Sequence, residues 1–233
     1  MCGRFAQVFK HDQLVKLTKE LKIQESSDQI ELNYNLAPTQ TLAAIVSKAS
    51  QEENIRYWGF FRWGLIPSWA KEIGNYNLIN IRSESVMEKP SFKSGLVRRR
   101  CLIPANGFYE WRQSDKQAYF IHSQIDELIL MAGIYDAWTS PDGSFIPSAS
   151  ILTTASQEPI SGIHSRMPVI LEPSELDFWL DSTQQEPKIL HEFVSQPRSN
   201  SLTLRPISPY VNKIRNNGTQ CWQASTTQDE IDL

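Results

Sequence analysis

The spacing of apolar side chains changes character early in the chain. In HDQLVKLTKELK, Leu14, Leu17 and Leu21 recur at intervals of three and four, which sets them on one stripe of a helix over residues 11–22. Beyond it the helical period gives way to short runs rich in β-branched and aromatic residues. These are TLAAIVS (41–47), IRYWGFF (55–61), NLINI (77–81), GFYEW (107–111), AYFIH (118–122), LILMAGIY (128–135), ASILTT (149–154) and SLTLRPI (201–207). Such runs fit a pleated, half-buried surface, and turn formers such as SPDG (140–143) separate several of them. A further helix start is legible at PSELDFWL (173–180), where Pro and Ser precede an acidic first turn. Strands grouped together with a few helices between them predict an α+β fold, its core a mainly antiparallel, barrel-like sheet with flanking helices. No repeat, low-complexity tract or Gly/Ser linker divides the chain. Residues 1–222 therefore read as one domain and the polar stretch 223–233 as a disordered tail.

Composition narrows the class. At 233 residues and 40% hydrophobic content the chain can bury a substantial core, which excludes disorder as its main state. No run approaches the roughly 18 consecutive apolar residues of a membrane span, and MCGRFAQVFKHD lacks the apolar core of a signal peptide. A soluble protein of the cytoplasm, nucleoid-associated in a bacterial host, is expected, without membrane association and as a monomer. The three cysteines, Cys2, Cys101 and Cys221, are odd in number and far apart, which argues for free thiols. With no CxxC pair or Cys/His cluster, neither a metal nor a cofactor is expected.

The formal net charge of -3 conceals an asymmetry. Residues 56–112 hold 10 basic and 4 acidic side chains, and the rest of the chain 13 basic and 22 acidic. Four of the seven tryptophans, Trp58, Trp63, Trp69 and Trp111, fall in the basic segment. Interleaved aromatic and basic residues suit stacking on unpaired bases beside phosphate contacts, and a solvated surface segment is the plainer reading of the same count.

The start of the chain carries distinct chemistry. A small second residue favours removal of the initiator Met, and this would leave Cys2 with an α-amine and a thiol on one Cα. Ordinary pKa values of about 7.7 to 8.0 for the amine and about 8.5 for the thiol give both a usable nucleophilic fraction near neutral pH. Such a 1,2-aminothiol takes an aldehyde as an imine and then closes sulfur onto the same carbon, giving a thiazolidine. Three other clusters set polar residues in apolar surroundings. LINIRSES spaces Asn80, Arg82 and Glu84 two apart, on one face of an extended segment. Glu110 lies between Tyr109 and Trp111, where desolvation would raise its pKa and suit proton transfer. His164 lies in a turn between Gly162 and Pro168 and is the best acid/base candidate of the four histidines.

Together these blocks resemble the SRAP family (SOS response-associated peptidase), also described as abasic-site processing proteins. The resemblance runs through MCGRFA, YNLAP (34–38), WGLIPSW (63–69), LINIRSES (78–85), CLIPANGFYEW (101–111), TTAS (153–156), IHSRMPVIL (163–171) and SPYVNKIRNNG (208–218). It implies a protein that binds abasic sites in single-stranded DNA and crosslinks to them through Cys2, shielding the lesion, with possible lyase and self-processing activities. The same resemblance gives Asn80 the task of holding the sugar. It assigns Glu110 proton transfer during ring opening and imine formation, and His164 proton transfer at the sugar oxygen. Arg4, Arg82 and Arg166 match positions that contact the DNA backbone; Trp69 and Pro38 match apolar positions beside the lesion. Ile81 and Met167 depart from the pattern outside the catalytic set. Two other classes remain open at this stage: an N-terminal-nucleophile peptidase or amidohydrolase, in which the freed amine activates its own thiol, and a non-covalent single-strand binding module.

Overall fold

The computed structural model describes residues 2–24, 30–49, 54–74, 78–198 and 201–225. In chain order its elements are β1 (Phe5–Gln7), α1 (His11–Glu20), β2 (Asn33–Leu36), β3 (Thr41–Ala49), β4 (Asn54–Trp63), β5 (Asn80–Arg82), α2 (Pro90–Arg98), β6 (Arg100–Ala105), β7 (Gly107–Trp111), β8 (Ala118–Ser123), β9 (Ile129–Thr139), β10 (Phe145–Ala155), β11 (Arg166–Pro168), α3 (Leu176–Leu180), α4 (Pro187–Ser195) and β12 (Leu202–Ile207). No helix among the described residues is long and apolar enough to cross a membrane.

The α+β expectation holds, and the strands form two sheets. One is antiparallel throughout in the order β12-β8-β7-β1-β2. The other closes on itself: β10 pairs β4, β4 pairs β3, β3 pairs β6, β6 pairs β9, and β9 returns to β10. Closure leaves no free edge within the ring of five. Within the ring the β4–β10 pairing alone is parallel, and outside it β5 also runs parallel to β10. Beyond the ring, β5 and β11 take up the two edges of the last third of β10, with Thr153 opposite both Arg82 and Pro168. The chain crosses from barrel to sheet at Ala105-Asn106-Gly107. There the Asn106 side chain exchanges two hydrogen bonds with the backbone of Val8, and a Cβ on Gly107 would fall 2.4 Å from the Ile121 carbonyl oxygen.

A large core cluster lies between the sheet and the barrel, built on Phe5, Trp63, Phe108, Ile121, Met131 and Ile151, with Cys2 inside it. Trp63 is fully buried, meets Phe5 edge-on at 4.8 Å, and donates from Nε1 to the Ile79 carbonyl at 3.0 Å. Trp63→Ala is expected to cost about 3–5 kcal/mol of stability, read as a lowered midpoint in urea at unchanged slope. A loss under 1 kcal/mol would mean that the two layers do not depend on this ring.

The strand runs fall where the sequence places them, and α1 stops at Glu20 because Lys22 turns to φ 51°. The run at 77–81 is an exception. Asn77 lies outside the described residues, and the strand is only Asn80–Arg82, followed by a tight 3-10 turn at Ser83–Ser85. Glu84 therefore leaves the face it was expected to share with Asn80 and Arg82. Of the polar tail, Gln223–Ser225 lie against β12, where Ser208 N–H donates to the Gln223 carbonyl and Ala224 bridges Ile207. Residues 226–233 of the expected tail lie outside the described residues.

Candidate active site

Four separate segments deliver the candidate catalytic side chains to one place. Strand β1 sits between β2 and β7, and its register pairs Phe5 with Phe108 and Ala6 with Gly107. Tyr109 N–H donates to the Arg4 carbonyl at 2.9 Å, so the ladder continues toward the chain start and brings Gly3 level with Glu110. Alternation along β7 then separates neighbours. Tyr109 and Trp111 pack outward with Tyr34 and Trp222, whereas Phe108 faces the inter-sheet core, and Glu110 shares its side of the strand. Cys2 is fully buried in that core, its thiol 3.8 Å from the Arg4 carbonyl oxygen. From the barrel side, β10 holds Asn80 opposite Ile151, and Asn80 Nδ2 donates to the Cys2 carbonyl at 2.7 Å. The Oδ1 of Asn80 is buried and finds no hydrogen-bond partner among the described residues, which leaves an acceptor at the site.

The electrostatics distinguish the titratable groups. Glu110 is 4% exposed, and burial pushes its carboxyl above the ordinary range, an effect that the nearby amino terminus and His164 oppose. Burial also pushes the Cys2 thiol strongly upward, and the neighbouring Glu110 charge adds to the effect, so the thiol is protonated near neutral pH. His164 sits in the turn before β11, where its carbonyl accepts from Ser156 Oγ at 2.6 Å. Arg166 N–H donates to His164 Nδ1 at 3.0 Å. A backbone N–H can only donate, so Nδ1 is the acceptor and the neutral ring carries its proton on Nε2. The second approach, Nδ1 to the Arg166 carbonyl oxygen at 3.3 Å, is thereby a non-bonded contact. A buried carboxyl of raised pKa beside an Nε2–H imidazole is a pair suited to moving protons at a reacting oxygen.

The candidate binding residues divide by surroundings. Arg82 is exposed, and Trp69 is 65% exposed on the loop between β4 and β5, which is anchored below by Ser68 N–H on Asp136 and by Trp138 Nε1 on the Ala70 carbonyl. Pro38 is half-buried in the β2–β3 turn, and that turn is bonded to the end of β4 through Thr39 N–H on the Trp63 carbonyl. Arg166 instead grips Glu84 in a two-toothed ion pair at 2.7 and 2.9 Å, and donates to the Thr153 carbonyl. The guanidinium holds the Glu84 carboxyl below its ordinary range. This pair ties the turn after β5 to β11, and so ties the Asn80 strand to the His164 turn. Arg4 donates to Asn35 Oδ1 and the Val211 carbonyl and lies over the Trp111 ring.

The basic surplus of residues 56–112 is not one continuous face. Arg56 pairs with Asp177, Arg99 with Asp136, and Arg112 with Asp115. Buried Arg100 donates to the carbonyls of Leu96, Val97, Trp179 and Asp181. Counting charges along a sequence cannot separate cations bound inside the fold from those facing solvent. Sequence reasoning also missed Asn35, a 1%-exposed amide in the YNLAP block; the signal available was a polar residue between apolar neighbours. A hollow of about 570 Å³ lies elsewhere, between α1, the turn after β8 and residues 170–177, and holds none of the four candidates. Depth alone does not mark a site, and the convergent titratable groups are better evidence here. Among the described residues no three His, Cys, Asp or Glu side chains gather as a metal ion would require.

Comparison with known proteins finds relatives along nearly the whole of this chain. The abasic site processing protein YoqW of Bacillus subtilis is 34% identical over 227 residues, spanning 94% of this chain and 98% of the relative. The abasic site processing protein HMCES of Rattus norvegicus is 34% identical over 271 residues, spanning 95% of this chain and 75% of the relative. A crystal structure of a protein from Bacteroides thetaiotaomicron, 23% identical, superposes with a TM-score of 0.81 over 96% of this chain and 100% of its own, and shows the same fold. Residues 1–214 match the SOS response associated peptidase (SRAP) description. With a match of that extent and a bacterial relative this similar along nearly its whole length, the chain belongs to the SRAP family.

Proposed function

We propose that this protein binds abasic sites in single-stranded DNA and, once Met1 is removed, captures them as a thiazolidine on Cys2, shielding the lesion during the DNA damage response. What carries this function is the convergence of Cys2, Asn80, Glu110 and His164 from four segments of the chain. The relatives named abasic site processing proteins support the choice of lesion.

An abasic sugar is mostly a closed hemiacetal, so capture begins with ring opening. His164 donates its Nε2 proton toward the ring oxygen, Glu110 accepts the proton from the C1′ hydroxyl, and an aldehyde is released. The neutral amine of Cys2 attacks C1′, and the carbinolamine loses one water to give the imine. The thiol sulfur then bonds to the same carbon, and its proton passes to the nitrogen. The five-membered ring contains both former nucleophiles, and the whole sequence releases one water. Asn80 holds the Cys2 carbonyl while this happens, and its open Oδ1 accepts from a sugar hydroxyl. The missing base removes the usual unstacking cost and leaves room at the lesion, which favours damaged over intact DNA.

The test is direct. Protein confirmed by mass spectrometry to lack Met1 is incubated with single-stranded DNA containing one abasic site, then run on a denaturing gel and weighed intact. The expected adduct weighs the sum of the two partners less one water, and is absent with a tetrahydrofuran analogue that has no aldehyde. Native-gel binding without an adduct would leave a non-covalent module. Peptide-bond turnover without an adduct would leave an N-terminal-nucleophile hydrolase.

A further inference from the structure

Two sequence blocks, YNLAP and SPYVNKIRNNG, take no part in the covalent steps, and the fold joins them. Buried Asn35, from the first, donates from Nδ2 to the carbonyls of Val211 at 3.1 Å, Lys213 at 3.1 Å and Asn216 at 2.9 Å, all from the second. Its Oδ1 accepts from Arg4 at 2.7 Å, and Arg4 also donates to the Val211 carbonyl. Asn216 N–H donates to the Lys213 carbonyl at 3.0 Å, closing a β-turn with Ile214 and Arg215 at its corners. On the other flank, Trp111 Nε1 donates to Asn212 Oδ1 at 2.7 Å. The turn is thus pinned to Arg4, two residues from Cys2, and to Trp111, one residue from Glu110. Two residues of chain reach at most about 7 Å.

What this clamp presents to solvent is cationic and apolar. Asn212, Lys213, Ile214 and Arg215 are all exposed, Ile214 at 54%. Neither Lys213 nor Arg215 joins an ion pair among the described residues. Surface cations are ordinarily borne on loosely held segments, whereas here a fully buried amide and a guanidinium order the backbone beneath them. A pre-ordered turn gives up less freedom when a ligand binds. Alternating cations and an apolar side chain match a single strand, which offers phosphates spaced along a backbone of sugars and bases.

We propose that the turn at residues 212–215 is a second contact for the DNA strand, in which Lys213 and Arg215 take phosphates flanking the lesion and Ile214 lies against the neighbouring sugar or base. This rests on DNA as the partner but not on the covalent step. The probe is a single-stranded oligonucleotide carrying a tetrahydrofuran site, its affinity measured across a series of salt concentrations. Each lost phosphate contact on a single strand lowers the slope of log affinity against log salt by about 0.7, so K213Q/R215Q should be shallower than wild type by about 1.4. The control K16Q/K19Q removes the same charge from exposed positions on α1, whose buried face belongs to a different core cluster, and should keep the wild-type slope. Thermal unfolding of both variants should match wild type, because all four side chains are exposed. An unchanged slope in K213Q/R215Q, or an equal drop in both pairs, would overturn the assignment. Adduct yield on saturating abasic DNA is read separately. A wild-type protein that gives no adduct while the slopes still differ would remove the covalent chemistry and leave the turn standing.

Discussion

Cys2→Ala is expected to eliminate the DNA adduct that survives denaturation while leaving one that borohydride can trap. After Met1 removal the variant keeps an α-amine, so the imine still forms, but it hydrolyses when no sulfur closes onto its carbon. The order of events follows from burial. Cys2 is fully enclosed and its thiol is pushed strongly upward, further by the negative charge of Glu110, so little thiolate exists before the aldehyde arrives. Once the amine has formed an iminium, a positive charge beside the sulfur lowers the penalty for losing its proton, and attack follows. The amine acts first and the thiol second. Removing one buried sulfur costs roughly 1 kcal/mol, too little to unfold the chain and mimic the loss of chemistry. A protein that retains Met1 should give no denaturation-resistant adduct, since its Cys2 nitrogen is an amide and cannot close a ring with the sulfur. A denaturation-resistant adduct at wild-type yield in Cys2→Ala would show that sulfur forms no bond, and failure of borohydride trapping would show that the amine is not the first nucleophile.

The elements legible in the sequence are those that are half-buried. Leu14, Leu17 and Leu21 mark α1, and β3, β4 and β9 announce themselves by alternation or by β-branched content. Strand β6 escapes because all six of its residues are buried, so RCLIPA shows no alternation, and Pro104 argues against a central strand. Helix α2 escapes because Gly95 interrupts it. That glycine is needed where the helix meets β9, since a Cβ there would come within 2.8 Å of Ile134 Cδ1. The closing of the barrel through β10 depends on pairings between residues far apart in sequence, which no local pattern records. The candidate site divides in the same way. The aminothiol of Cys2 and the desolvated position of Glu110 can be read from chemistry and neighbours. That Arg166 is held by Glu84, or that Asn35 organises the turn beside Arg4, requires knowing which segments the sheets bring together.

Glu110→Gln should move activity and stability in opposite directions. General acid–base groups contribute about 100- to 10,000-fold, so adduct formation should slow by that order while affinity for tetrahydrofuran DNA stays at the wild-type value. The pH profile gives a second signature. Both proteins need a neutral Cys2 amine and share the acid limb that it sets, near 7.7–8.0 for an ordinary α-amine. Only wild type should carry a further fall at lower pH as Glu110 itself becomes protonated. Stability runs the other way because burial raises the Glu110 pKa in the folded state above its ordinary 4.5. Between the unfolded and folded values the native state binds more protons than the unfolded chain, so stability is greatest below the lower value and declines as pH rises through the upper one. At pH 7, well above the unfolded value, folding costs the wild type either a buried charge or the uptake of a proton, and a neutral glutamine of the same shape avoids both. Glu110→Gln should melt higher than wild type at pH 7, and the gap should close as the pH approaches 4.5. A lower melting temperature at pH 7 would mean that native hydrogen bonds outweigh desolvation at this carboxylate. A slowed reaction without loss of the lower limb would place Glu110 outside the proton transfer. The combination of a slower, more stable protein is the mark of a group kept at a site for its chemistry against the preference of the fold.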